Sequence, residues 1–135
     1  MPTEAPALNH VAIAVRNLDE AVNLYEGLLG ISCVKRERVE GQQVDVALFG
    51  EGSSHIELIC PYVPDSGVAR FIEKRGEGLH HLCFDVPDLP AELRRLKEQG
   101  VPLIDEQPRP GADGSLIAFV HPKASRGVLV ELRQA

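Results

Sequence analysis

The sequence predicts an α+β fold made of two paired βαβββ modules, and three observations predict it. The segment Leu8–Val15 (LNHVAIAV) returns as Leu79–Val86 (LHHLCFDV), with a histidine, His10 and then His81, at the same place in each. Both segments run into a helical pattern that ends in glycine. Leu18 matches Leu89 and Gly30 matches Gly100 after a one-residue adjustment, so the echo spans about 20 positions, too many for chance apolar runs. Three further strand-like segments follow the helix in each copy.

The elements are expected in this order. After the first strand, Asn17 caps a helix with Glu20 three residues on, and Ala21, Val22, Leu24, Tyr25, Leu28 and Leu29 follow at helical spacing until Gly30. Residues 31 to 38 read as a charged edge strand. After a turn at Gly41, Val44, Val46 and Leu48 alternate with Asp45, Ala47 and Phe49 in the next strand, and His55–Cys60 (HIELIC) closes the first module. Residues 61 to 78 read as a linker holding a short helix, roughly Ser66 to Arg75, docked through Val68, Phe71 and Ile72. In the second module Asp88 caps, Pro90 sits in the first turn, and Leu89, Leu93 and Leu96 form the buried stripe before Gly100. Strands are expected at Leu103–Glu106, Leu116–Val120 and Val128–Arg133, with a loop at PRPGADG and a longer turn at HPKASRG. The modules therefore span about 7–60 and 79–133.

Composition narrows the function classes. With 135 residues, 44% of them apolar, the chain is large enough for a core without staples, and with no Trp that core is mostly Val, Leu and Ile. A net charge of −6 argues against a phosphate-backbone partner, and Lys35, Arg36 and Arg38 read as a solvated strand edge. Cys33, Cys60 and Cys83 are odd in number and form no CxxC, so they are expected to be thiols of a cytoplasmic protein. MPTEAP offers neither a basic region nor an apolar run, and no stretch reaches membrane-spanning length.

Strand alternation turns the repeat into a site. Side chains alternate across a strand, so Val11, Ile13 and Val15 share one face while His10, Ala12 and Ala14 share the other. Leu82, Phe84 and Val86 are likewise opposed to His81, Cys83 and Asp85. In HIELIC, Ile56 and Leu58 drive Glu57 to the opposite face; in VLVEL, Val128, Val130 and Leu132 do the same to Glu131. His55, two positions before Glu57, lies beside the turn and is expected to be exposed. Two imidazoles and two carboxylates at matching places point to a divalent metal site, because a buried carboxylate is costly unless paired or metal-bound.

Through LNHVAIAV, PDSGVARFIEKRGEGLHHLCFDV and AFVHPKASRGVLVEL the chain resembles the vicinal oxygen chelate superfamily, and within it the methylmalonyl-CoA epimerase family, over nearly its whole length. The resemblance implies that the paired modules form an open, cup-like mixed sheet around a metal. It makes His10, Glu57, His81 and Glu131 the ligands. Some relatives carry glutamine at the position of Glu57, and glutamate here is more like bacterial glyoxalase I. Two carboxylates and two imidazoles suit Co²⁺ first, with Mn²⁺, Ni²⁺ or Zn²⁺ admissible, acting as a Lewis acid toward an enolate.

The implied reaction is epimerisation of methylmalonyl-CoA, in which a proton leaves one face of the α-carbon and returns on the other, so two acid/base groups are needed. The resemblance gives Glu131 one role, as ligand and base. It implies an acidic residue in the strand after Gly41 for the other, and Asp45 is the only carboxylate there, on the face of Ala47 and opposite Val44 and Val46. Arg109, Lys123 and Arg126, in loops bordering the implied cup, are expected to meet the substrate carboxylate or the coenzyme A phosphates. A homodimer is also implied. Three rival functions share parts of this pattern: a glyoxalase I-type isomerase acting on a glutathione hemithioacetal, an Fe(II) extradiol dioxygenase, and a metal-free drug-sequestering module. The four-ligand set argues against the last two.

Overall fold

The computed structural model describes residues 6–111 and 114–135. The opening of MPTEAP, residues 1–5, and Ala112 and Asp113 within PRPGADG lie outside them. The fold is α+β, and the chain divides into two compact units, one of residues His10–His80 and one of His81–Ala135 together with the segment through Asn9.

The first unit contains most of strand β1 (Ala7–Ala14), helix α1 (Leu18–Leu29), strands β2 (Lys35–Val39), β3 (Val44–Phe49) and β4 (His55–Pro61), and helix α2 (Gly67–Arg75). Its strands lie in the order β2-β3-β4-β1, with β1 parallel to β4 and the other neighbours antiparallel. Asn17 caps α1 by accepting a hydrogen bond from the Glu20 amide, as its spacing predicts, and Gly30 ends the helix at φ 69°, where a Cβ would be disfavoured. Through Leu18, Ala21, Val22 and Tyr25, α1 packs on Ile13, Val15, Ala47, Phe49, Ile56 and Leu58. Leu24 and Leu28, read from the sequence as part of that stripe, are 66% and 70% exposed. Leu24 lies about 110° around the helix from the centre of the stripe that the 18, 21, 22, 25 spacing fills, and Leu28, about 70° from it, falls at its margin in the last turn.

The opposite face of the same sheet is covered in part by α2. Ser66 caps this helix, and Val68 and Ile72 pack on Ala12, Ala14, Val44, Val46 and Ile59, with Phe71 at the margin. Leu58 and Ile59, adjacent in β4, are thus buried on opposite faces, at 0% and 1% exposure. Each such burial contributes about 1.5–3 kcal/mol.

The second unit repeats the plan with most of strand β5 (Gly78–Asp85), helix α3 (Leu89–Glu98), and strands β6 (Arg109–Pro110), β7 (Leu116–Val120) and β8 (Leu129–Gln134). The strand order is β6-β7-β8-β5, with β5 parallel to β8 and the other neighbours antiparallel. Asp88 caps α3, whose Leu89 and Leu93 pack on Val86, Ala118, Val120 and Leu132. The strand expected at 103–106 shrinks to a single bridge between Leu103 and Val120. Asp105 instead turns its carboxylate back to accept from the Phe119 amide at 2.8 Å, and the ladder resumes at Arg109. Gly111 has no room for a side chain, since a Cβ there would stand 2.6 Å from Ile117 Cγ2. Among the described residues no helix is long and apolar enough to cross a membrane.

Candidate active site

In the first unit, register decides which side chains meet. His10 stands opposite His55, and Ala12 opposite Glu57, across the parallel β1–β4 pair. Aligned residues project to one face, so His10, His55 and Glu57 gather beyond the α2-covered end, with the small Ala12 leaving space. Glu57 Oε2 lies 3.2 Å from His10 Nδ1 and 2.9 Å from His55 Nε2, and the two imidazole centroids are 5.2 Å apart. The ligand-capable atoms of these three residues all fall within 4.8 Å of one another. His10 is 6% exposed.

The second unit repeats the pair. Cys83 stands opposite Glu131 across β5–β8, and the ring of His81, two residues earlier on that face, approaches the carboxylate with Nε2 3.0 Å from Oε1. Both residues are buried, at 3% and 5% exposure. Phe119, opposite Glu131 on β7, packs edge-on against the His81 ring with centroids 5.9 Å apart. All four histidine and glutamate positions read from the sequence therefore lie on the faces that alternation assigned them, one His–carboxylate pair in each unit.

The other sequence-derived residues divide. Arg109 shares the His81–Glu131 face through the register Arg109–Ile117–Arg133; its guanidinium lies 5.2 Å over the Phe119 ring and 3.4 Å from Asp105. Lys123 lies in the 3₁₀ turn Pro122–Ser125 before β8, and Arg126 closes that turn at φ 59°; both are exposed.

Asp45 is not brought to the site face. It pairs with Cys60 across β3–β4, while Ala47 pairs with Leu58, so Asp45 lies on the α1 side, away from Glu57. There Arg38 grips both carboxylate oxygens, at 2.7 and 3.0 Å, and this hydrogen-bonded guanidinium holds the Asp45 carboxyl below the usual aspartate range. The alternation read from the sequence was right, but the face it served was the other one. Of the carboxylates on β2 and β3, Glu37 is the one that shares the Glu57 face, through the register Glu37–Val46–Ile59. It is bound to Lys35 at 3.2 Å.

Two residues were missed or misjudged from sequence. His55, expected to be exposed, has a side chain only 10% exposed. Arg133, on the Glu131 face of β8, holds Asp85 at 2.7 Å, and Asp85 also accepts from Asn9. The alternation in VLVELR that places Glu131 places Arg133 as well.

The βαβββ plan is duplicated with a His–carboxylate pair on matching strands of each copy, a donor set suited to a divalent metal. Residues 9–119 match the glyoxalase/bleomycin resistance protein/dioxygenase superfamily. The chain belongs to that superfamily and, within it, to the methylmalonyl-CoA epimerase family, which makes it an enzyme of the epimerase class. It is 47% identical over 125 residues to uncharacterized protein YqjC of Bacillus subtilis, covering 93% of this chain and 89% of that one. Human mitochondrial methylmalonyl-CoA epimerase is 37% identical over 129 residues, 95% of this chain and 73% of the relative. A solved methylmalonyl-CoA epimerase in complex with methylmalonyl-CoA and NH4+ superposes with a TM-score of 0.89 at 33% identity, covering 98% of this chain and 96% of that one.

Proposed function

We propose that this enzyme interconverts the 2R and 2S forms of methylmalonyl-CoA by moving the α-proton. The observation that carries the reading is the duplicated His–carboxylate pair, His10 with Glu57 and His81 with Glu131, in a chain of this family. The relatives' names and the methylmalonyl-CoA held by the solved relative support the substrate.

The donor set fits a divalent first-row ion. In each pair the donor atoms stand 3.0 to 3.2 Å apart, close to the ~3.0 Å between neighbouring vertices of an octahedron with ~2.1 Å bonds. His10, Glu57, His81 and Glu131 would hold it, with Co²⁺ the first ion to test and Mn²⁺, Ni²⁺ and Zn²⁺ after it. When bound, it supplies Lewis acidity toward the oxygens of a malonyl-type thioester, lowering the cost of charge developing at the carbonyl.

The remaining work falls to the chain. Glu131, buried beside His81, is the base that takes the α-proton. With Asp45 turned to the α1 side, Glu37 is the group on the Glu57 face from which the proton returns. Arg109, through its place beside Phe119, meets the substrate carboxylate, and Lys123 and Arg126 meet the coenzyme A phosphates. The exposed apolar side chains Leu24, Leu28, Ile31 and Val34 support a homodimer, and the three cysteines, held as thiols, support a cytoplasmic setting.

The experiment is proton NMR in D₂O with Co²⁺-loaded protein and stereochemically pure methylmalonyl-CoA. Loss of the α-proton signal together with inversion is expected. An α-proton that stays in place on metal-loaded protein refutes the reading, and isomerisation of the methylglyoxal–glutathione hemithioacetal by the same sample would replace it with the glyoxalase reading.

A further inference from the structure

His55 is held by the turn that precedes it and by Glu57. The turn that precedes it carries Gly50 at φ 92°, Gly52 at φ 74° and Ser54 at φ 63°, a run of left-handed backbone that folds the Gly52 carbonyl onto the ring. His55 Nδ1 stands 2.8 Å from that oxygen. A carbonyl only accepts, so Nδ1 carries the hydrogen and donates it. In the neutral ring Nε2 is then left with a lone pair, and it faces Glu57 Oε2 at 2.9 Å. His10 Nδ1 faces the same oxygen at 3.2 Å. A contact at this distance calls for a positive centre between nitrogen and carboxylate, a proton or a metal ion.

We propose that His55 is a direct ligand of the metal, a donor added by this chain to His10 and Glu57. The inference rests on the metal reading above. Three features carry it. Both nitrogen–oxygen separations lie close to the ~3.0 Å octahedral edge expected for ~2.1 Å bonds. The second ring nitrogen is tied to a backbone carbonyl, which is how a metal-binding histidine has its tautomer and ring angle fixed. His10 and His55 are paired in register on adjacent strands, so their rings are delivered side by side by the sheet and not by a flexible loop. A third imidazole raises the preference of the site for Co²⁺, Ni²⁺ or Zn²⁺ over Mg²⁺ or Ca²⁺.

The test counts imidazoles. The intact protein is loaded with one equivalent of Cu²⁺, and pulsed EPR reads the number of coordinated imidazoles from their remote nitrogens. Three are expected, from His10, His55 and His81, falling to two in His55→Gln. Co²⁺ titration of the same pair should show affinity lowered by more than the ~100-fold upper end expected for losing a hydrogen-bond partner of a ligand. Two imidazoles in the unsubstituted protein overturn the inference even if His55→Gln does not fold, and leave the four-ligand reading standing. An affinity unchanged in His55→Gln overturns it as well. Failure of the unsubstituted protein to bind any ion overturns both.

Discussion

Replacing Glu131 by glutamine separates base chemistry from architecture. The side chain is 5% exposed and stands 3.0 Å from His81 Nε2, so the isosteric amide keeps an oxygen at the same place while losing the negative charge and the basicity. Removing a positioned general base costs about 10²–10⁴-fold in turnover, which is about 2.7–5.4 kcal/mol of transition-state stabilisation. The amide still offers His81 a hydrogen bond, so the loss of stability in the metal-free protein should be about 1 kcal/mol or less. For 135 residues an unfolding entropy of about 2.1 cal/mol/K each converts that to a Tm decrease of about 4 °C or less. The assay follows α-proton exchange by NMR in D₂O at saturating Co²⁺, with calorimetry on the metal-free protein alongside. A glutamine variant that binds Co²⁺ and exchanges the α-proton within about tenfold of the unsubstituted rate would refute the assignment of Glu131 as base. A Tm loss well beyond 4 °C would show that the pair is mainly structural.

Three further predictions concern the neighbouring elements. Asp45→Asn should leave epimerisation within a few-fold while Glu37→Gln lowers it by at least tenfold, because only Glu37 shares the Glu57 face; steady-state rates with the reverse order would refute the register argument. The Asp45–Arg38 pair should make a small contribution to stability at neutral pH, since it is largely solvent-exposed. Its folded-state pKa is depressed, so that contribution is present above the ordinary aspartate value of about 3.9 and is lost as pH falls through the lower folded value; urea midpoints of the protein and of Asp45→Asn should therefore differ at pH 7 and converge on acidification. Leu89→Ala, at a fully buried position of the second unit, should reduce unfolding free energy by about 2–5 kcal/mol, read by urea titration, and a loss under 1 kcal/mol would mean that α3 is not anchored there.

Much of this was legible in short stretches of chain. The caps at Asn17 and Asp88 declare themselves by residue type and spacing, and the structure has both side chains accepting from the amide three residues on. The His–carboxylate pairs were legible because bulky apolar side chains flank each polar residue, Val11 beside His10 and Ile56 and Leu58 beside Glu57, and alternation sets the histidine or glutamate on the face opposite to them. The lost strand near residue 103 was not legible, since its apolar start competes with a long-range bond from Asp105 to Phe119 that no local pattern announces.

The sequence by itself determined the duplicated βαβββ plan and the four matching positions of His10, Glu57, His81 and Glu131, because a period of two is a local property of the strand. Only the tertiary structure decided what those faces meet. Asp45 fell on the α1 side and Glu37 on the Glu57 face because alternation sorts a strand's residues into two sets but does not say which set a neighbouring strand continues; a register shift of one residue reverses the answer. His55 became buried through a turn whose left-handed residues aim one carbonyl at its ring, a contact set by backbone geometry in space and invisible in the letters HIELIC.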